Sequence, residues 1–266
     1  MINHMYITRF FLSFFLFFLT PFHVYAEATF SITPGIMYFH YEEFDLNNNT
    51  LDTESGFIPG VSLSIHLDQS SLGAHLFTGK VDYDGQTQSG VPHKTDTDES
   101  LYYFFYRYDF LNINNDYNFF VSTNYQFWER LIKANNGVGS LYEEYSWWHV
   151  EAGFKINKTL SNHNVLKFEL ASLRTFNGDI TIDLNDVGFG EANLDLGDKF
   201  GLRGLLSLDL NTDYHSNINI GIEYKYWGFG RSNTEILSDG LSNISITEPE
   251  SDSNLLRFFI QFTQSF

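Results

Sequence analysis

The stretch Asn-Ile-Asn-Ile-Gly-Ile-Glu-Tyr-Lys-Tyr-Trp-Gly-Phe-Gly-Arg, residues 217–231, places Ile218, Ile220, Ile222, Tyr224 and Tyr226 on one parity. Asn219, Gly221, Glu223, Lys225 and Trp227 occupy the other. Side chains of a strand alternate between its two faces, so this segment reads as a strand with one apolar and one charged face. Tyr145–Ile156 repeats the pattern, with Trp148, Val150, Ala152, Phe154 and Ile156 opposite His149, Glu151, Gly153 and Lys155. The last segment sets Leu256, Phe258, Ile260, Phe262 and Phe266 against Arg257, Phe259, Gln261 and Thr263. A soluble β-sandwich also alternates. An edge strand carrying Phe258, Phe259, Ile260 and Phe262 in water would, however, invite aggregation. An apolar face turned to lipid and a polar face turned to an interior describe a transmembrane β-barrel.

Working outward, the pattern predicts ten strands, at about 29–44, 55–67, 72–84, 99–110, 117–130, 144–157, 164–176, 198–211, 217–231 and 252–266. The connections alternate in length. Asp68–Ser71, Leu111–Asp116, Lys158–His163 and Thr212–Ser216 are short. Asp45–Glu54, Gly85–Asp98, Leu131–Glu143, Asn177–Gly197 and Ser232–Ser251 are long. An even strand count with short periplasmic turns and long outer loops is the pattern of bacterial barrels. The fold class is therefore all-β: a single antiparallel up-and-down barrel of ten strands over residues 27–266.

Residues 1–26 read as a signal peptide. Arg9 precedes an apolar run, Phe10 to Phe22, broken by Pro21, and Val24 and Ala26 supply the small residues of a cleavage site after Ala26. The run falls short of the ~20 residues of a spanning helix. Arg9 is the only one of 15 Lys+Arg in the leader, so 14 face 33 Asp+Glu in the mature chain, a formal charge of −19. Nucleic acid is excluded as a partner, since its phosphates need basic side chains. With no cysteine there is no disulfide framework and no thiolate chemistry. Aromatic residues make up 18% of the chain while mean hydropathy is −0.20, which fits rings turned to lipid and gathered in interfacial girdles.

The terminal segment Leu255–Phe266 resembles the C-terminal signature of Gram-negative outer-membrane barrel proteins, through Phe258, Ile260, Phe262 and Phe266. Gln264 departs from the usual apolar residue there. The resemblance implies reading by the barrel-assembly machinery, with periplasmic chaperones as partners on the way. Ten strands with five outer loops also resemble the omptins, surface proteases that use an Asp pair and an Asp–His pair. Val81-Asp-Tyr-Asp84 looks like the omptin Asp pair, which makes Asp82 and Asp84 the catalytic candidates. The loop Asn177–Gly197, where the His should lie, has none. Without a base to activate water, the likeness implies the fold and not the activity.

Other candidates come from parity. The less apolar face of each strand places Arg107, Asp109, Glu151, Lys155, Lys167, Glu169, Arg203, Asp209, Glu223, Lys225 and Arg257 in the lumen. Six bases and five acids on neighbouring strands imply a cross-strand ionic network, because buried charges persist when paired. A small barrel is filled by side chains, so a plugged lumen is expected, with a selective pore as the sharper alternative. The loops set Asp45, Asp52, Glu54, Asp96, Asp98, Glu99, Glu248, Glu250 and Asp252 at the outer rim, with Asp179, Asp183, Asp186 and Glu191 as metal candidates. A divalent cation there could be shared with lipopolysaccharide phosphates. His149 beside Glu151 could form an acid–base pair, and His93 falls in an outer loop. Trp147, Trp148, Trp227, Tyr224 and Tyr226 are expected in an interfacial belt. Taken together, the sequence favours a monomeric, non-enzymatic surface barrel serving envelope integrity or contact with an outside partner. A narrow channel for small solutes is the first alternative, and an omptin-like or lipid-modifying hydrolase the second.

Overall fold

The computed structural model describes residues 28–87, 90–110, 117–161, 164–211 and 216–266. The leader expected over residues 1–26, the turn at Leu111–Asp116, His163 and His215 lie outside the described residues. The strands are β1 (Ala28–Phe44), β2 (Thr50–Leu67), β3 (Ser70–Gln86), β4 (Pro92–Phe110), β5 (Tyr117–Ile132), β6 (Leu141–Ser161) and β7 (Asn164–Leu184). They continue with β8 (Gly190–Leu196), β9 (Phe200–Asn211), β10 (Ser216–Phe229), β11 (Thr234–Ser238), β12 (Asn243–Thr247) and β13 (Glu250–Ser265).

Ten of these strands make a closed antiparallel ring. β1 to β7 pair in sequence, β7 passes to β9, β9 to β10 and β10 to β13. β13 then returns to β1 in a ladder from Thr29↔Ser265 to Phe44↔Glu250. Lipid offers the backbone no hydrogen bonds, and a ring without edges satisfies every N–H and C=O by strand pairing.

The outer surface of the ring carries an apolar band. Phe30, Ile32 and Ile36 on β1, Val121 on β5, Val150 on β6, Leu206 on β9, Ile220 on β10 and Phe258, Ile260 and Phe262 on β13 are all exposed. An apolar face of this extent is stable only when lipid covers it. Paired rings mark its upper edge: Tyr38 beside Phe57 at 5.2 Å, Tyr102 beside Phe127 at 5.8 Å and Tyr125 beside Trp148 at 5.1 Å. Beyond them the outward positions become Glu42, Lys80, Asp82, Asp98, Glu129 and Glu144, so the membrane ends at this girdle.

The strands do not end there. β6 and β7 are 21 residues each, about twice the ~9–11 that cross the hydrocarbon. Much of what the sequence pattern assigns to long outer loops is therefore barrel wall, with β2 starting at Thr50, β4 at Pro92 and β6 at Leu141. The stretch Asn177–Gly197 is likewise a continuation. β7 passes through a bulge at Asn177, whose φ is 49°, and its register with β6 slips between Ser146 and Trp148. Inward residues below the bulge are odd-numbered, as Leu173 and Thr175, and above it even-numbered, as Ile180 and Ile182. A Cβ on Gly178 would lie 3.1 Å from that of Leu196, so the bulge closes tightly on β8. After the 3-10 turn Asn185–Val187, β8 runs back along β7. β11 and β12 form a separate hairpin between β10 and β13.

This assignment has a direct test in refolding equilibria. Ile220→Arg, on the lipid face, should cost about 2–4 kcal/mol by denaturant titration in vesicles. Thr53→Arg, on the outer wall above the girdle, should stay within about 0.5 kcal/mol.

Candidate functional site

The inward faces of the strands build three stacked zones within the barrel. The lowest is ionic. Arg107 on β4 pairs with Asp109 at 2.7 Å and with Glu169 on β7 at 2.9 Å. Arg203 on β9 donates to Glu169 at 2.7 Å, to Glu151 on β6 at 3.0 Å and to Glu223 on β10 at 3.3 Å. Arg257 on β13 reaches Glu223 at 3.3 Å, Lys225 lies 3.4 Å from Glu151, and Lys155 lies 3.5 Å from Asp109. Lys167 pairs with Asp209. Nine of the eleven charged residues singled out by strand parity thus meet in one network that joins strands on opposite sides of the ring, and Lys167 with Asp209 forms a separate pair beside it. All of the eleven except Asp209 border a cavity of about 370 Å³. His149 Nε2 sits between the Glu151 carboxylate at 3.1 Å and the Lys225 ammonium at 3.0 Å, as one member of this network.

Above the ionic zone the lining becomes aromatic. Trp128 stacks on Tyr145 with ring centres 4.5 Å apart and meets Phe39 and Tyr41 edge-on. Trp147 stacks on Trp227 at 6.3 Å and meets Phe229 edge-on at 5.1 Å. These rings, with Ile58 and Leu101, are fully buried. The expectation of an interfacial belt holds for Trp148 and Tyr224, whose rings face outward. Trp147 and Trp227 instead point inside, because each lies one residue off the outward parity.

The third zone lies above the girdle and is strongly acidic. Arg130 on β5, 1% exposed, donates from Nε to Glu54 at 3.0 Å. From Nη1 it donates to Glu143 at 2.8 Å and to Glu43 at 3.1 Å. Asp52 stands 3.9 Å from Nη2. Glu99 accepts from the Trp128 indole and lies beside Glu54, and Glu248 accepts from the Tyr145 hydroxyl at 2.7 Å. Six buried carboxyl groups thus surround one guanidinium. Burial pushes Asp52, Glu99 and Glu248 well above the usual carboxylate range, reinforced by Glu43 for Asp52 and Glu248, and by Glu54 for Glu99. Burial raises Glu143 to about 7 even against the pull of Arg130. Burial opposes the Arg130 charge, but Glu54 and Glu143 overcome it and hold the guanidinium firmly protonated.

This zone was not singled out from the sequence. Asp52, Glu54, Glu99 and Glu248 were expected at a solvated rim, and the structure buries all four inside the barrel. His93 is likewise buried on β4 and not in a loop. Extending parity would have found the zone: Met37, Phe39 and Tyr41 lead inward to Glu43, and Trp128 leads to Arg130.

The remaining candidates lie apart from it. Asp82 and Asp84 face outward from β3, and Asp84 pairs with Lys94 at 2.5 Å, so they do not look across the mouth. Asp183 caps the turn through Asn185, Asp186 lies within that turn, and Asp179 and Glu191 stand on the β7–β8 ladder. Among the described residues no three His, Asp or Glu side chains converge to hold a metal ion. Phe258, Ile260 and Phe262 are exposed along the last strand, and Phe266 is exposed just beyond its end.

No known protein-family profile matches the chain, and no curated protein sequence matches it. Among solved structures it is similar to the outer membrane protease OmpT from Escherichia coli, with a TM-score of 0.54 and 9% identity over 90% of this chain and 97% of that one. Ail, the attachment invasion locus protein of Yersinia pestis, aligns at TM-score 0.36 and 14% identity, over 90% and 99%. OprG from Pseudomonas aeruginosa aligns at 0.35 and 12%, over 91% and 97%. The OmpT likeness is one of fold: a ten-stranded outer-membrane barrel.

Removing Arg130, the one cation of the acidic zone among the described residues, should make stability strongly pH-dependent. In Arg130→Gln the already raised values of Asp52, Glu99, Glu143 and Glu248 rise further, so the variant's stability falls as pH rises through them. We expect a loss of at least about 3 kcal/mol near pH 8, with partial recovery near pH 5, by chemical unfolding at both pH values.

Proposed function

We propose that this protein is a non-enzymatic surface barrel of the bacterial outer membrane, exported through its N-terminal leader and monomeric, whose interior is closed by its own side chains. The observation that carries this reading is the buried aromatic layer, Phe39, Trp128, Trp147, Trp227 and Phe229, lying across the interior above the ionic zone. A lumen filled in this way has no continuous water path. The ionic network beneath it then acts as a brace, tying distant strands together, since mixed-sign pairs do not select ions as one-sign rings do.

The activity that OmpT's name describes is not carried over. Asp82 and Asp84 face away from the mouth, and a hydrolase needs its base within reach of an attacking water. What the protein offers to the outside is its acidic wall above the girdle, including Asp82, Asp98, Glu129 and Glu144. At the level of lipopolysaccharide headgroups, such a wall suits divalent cations shared with phosphate, and so a role in envelope integrity. Phe258, Ile260 and Phe262 present an outward row that suits recognition by the barrel-assembly machinery during insertion.

One observation favours a second reading, a narrow channel: the ionic zone borders a cavity of about 370 Å³ into which its charged side chains face. Planar-bilayer recording separates the two. The closed-barrel reading expects no conductance steps from the refolded protein, and steps only after Trp147→Ala is combined with Trp227→Ala. Steady steps from the unsubstituted protein would assign the channel.

A further inference from the structure

Between β10 and β13 the chain leaves the barrel wall and forms the β11–β12 hairpin. Its underside is apolar: Ile246 is buried, and Leu237 and Ile244 pack on the same core as Tyr41 and Tyr145. Its upper side exposes Ile236 and Leu241. One flank is tied to β8, where Glu235 accepts from the Asn193 amide at 2.6 Å and Asn233 from the Asp195 amide at 2.8 Å. The neck is closed by Ser232, whose hydroxyl accepts from the Glu248 amide at 2.8 Å.

From this neck Glu248 reaches into the barrel. Its Oε1 accepts from Tyr145 on β6 at 2.7 Å and from Tyr41 on β1 at 3.5 Å. The groups around it are Glu43 beside Tyr41, Glu143 beside Tyr145, and Arg130, with Asp52, Glu54 and Glu99 farther along β2 and β4. Arg130 donates instead to Glu43, Glu54 and Glu143. Glu248 is thus pressed into a dry pocket that already holds an excess of carboxyl groups, where a charged carboxylate is costly and a protonated one can hydrogen-bond.

We propose that the β11–β12 hairpin is a lid over the outer mouth and that Glu248 is its proton-operated latch. While Glu248 and its carboxyl neighbours share protons the lid is docked. When those protons leave, repulsion from Glu43 and Glu143 drives Glu248 out, and the hairpin lifts to uncover the acidic zone.

The direction in pH follows from the docked state. Burial, then Glu43 and Glu143, raise the docked Glu248 above its solvated value. Docking is therefore fully favoured below the ordinary carboxyl range and is lost as pH climbs through the raised value. Glu143, itself raised to about 7, gains its charge across neutrality and adds its repulsion there.

The absence of cysteine makes the test clean. Ile246→Cys, 4% exposed on the underside, reports lifting through its rate of thiol labelling, and Ile236→Cys, 71% exposed, corrects for thiol ionisation. In refolded full-length protein, the ratio of the two rates should rise at least about tenfold between about pH 6 and about pH 9. In the Glu248→Gln background the ratio should stay low and flat, because the amide remains neutral. Amide hydrogen exchange over Asn243–Thr247 in the unsubstituted chain, corrected for intrinsic rates, reads the same opening without a cysteine. A pH-independent ratio and exchange, or a rise that Glu248→Gln leaves unchanged, overturns the proposal.

Discussion

Every part of this molecule answers to the inability of lipid to hydrogen-bond a backbone. A sheet crossing the membrane must close on itself, and here β13 returns to β1 over fourteen paired positions. Closure with ten strands leaves a narrow interior, and alternation sends half of each strand's side chains into it. The face given to lipid is set by solvent. The face given to the interior is free to vary, and its three zones show three ways to fill the same cross-section.

The two charged zones solve different problems. Within the membrane-spanning part, charges of both signs alternate around the ring. Arg203 engages Glu151, Glu169 and Glu223 at once, so each charge has opposite neighbours. Such pairing offsets desolvation without contributing much net stability, and its value lies in tying distant strands in one register. Above the girdle the balance is abandoned. Six carboxyl groups gather in a zone where Arg130 donates to three of them, and the shortfall in positive charge is met by retained protons and by hydroxyl donors such as Tyr145. Between the two zones lies the aromatic layer, where Trp128 stacks on Tyr145 and Trp147 lies beside Trp227.

The membrane part of the fold was legible in the sequence because two solvents impose a strict period of two there. Residues 217–231 show it most plainly, and the same parity placed the eleven charges of the ionic zone. The outer halves of the strands were not legible, because water bathes their outer face and carboxyl groups line the inner one. His93–Glu99 therefore has polar residues at both parities and reads as a loop, although it is strand. The bulge at Asn177 hid the rest of β7 by shifting its inward set by one residue. Glu248 could not have been placed by any period, since it enters the barrel from a hairpin that leaves the wall.

The central claim is that the interior is sealed by its own rings, away from both water and lipid. The four tryptophans test it directly, because Trp128, Trp147 and Trp227 are buried inside and Trp148 faces lipid. Fluorescence of the refolded protein should be measured with aqueous acrylamide and with brominated lipid, in the unsubstituted chain and in Trp148→Phe. The account predicts that brominated lipid quenches the Trp148 emission, and that the emission left in Trp148→Phe resists both quenchers. Strong acrylamide quenching in Trp148→Phe would mean that water reaches the ring layer, and the sealed interior would be contradicted.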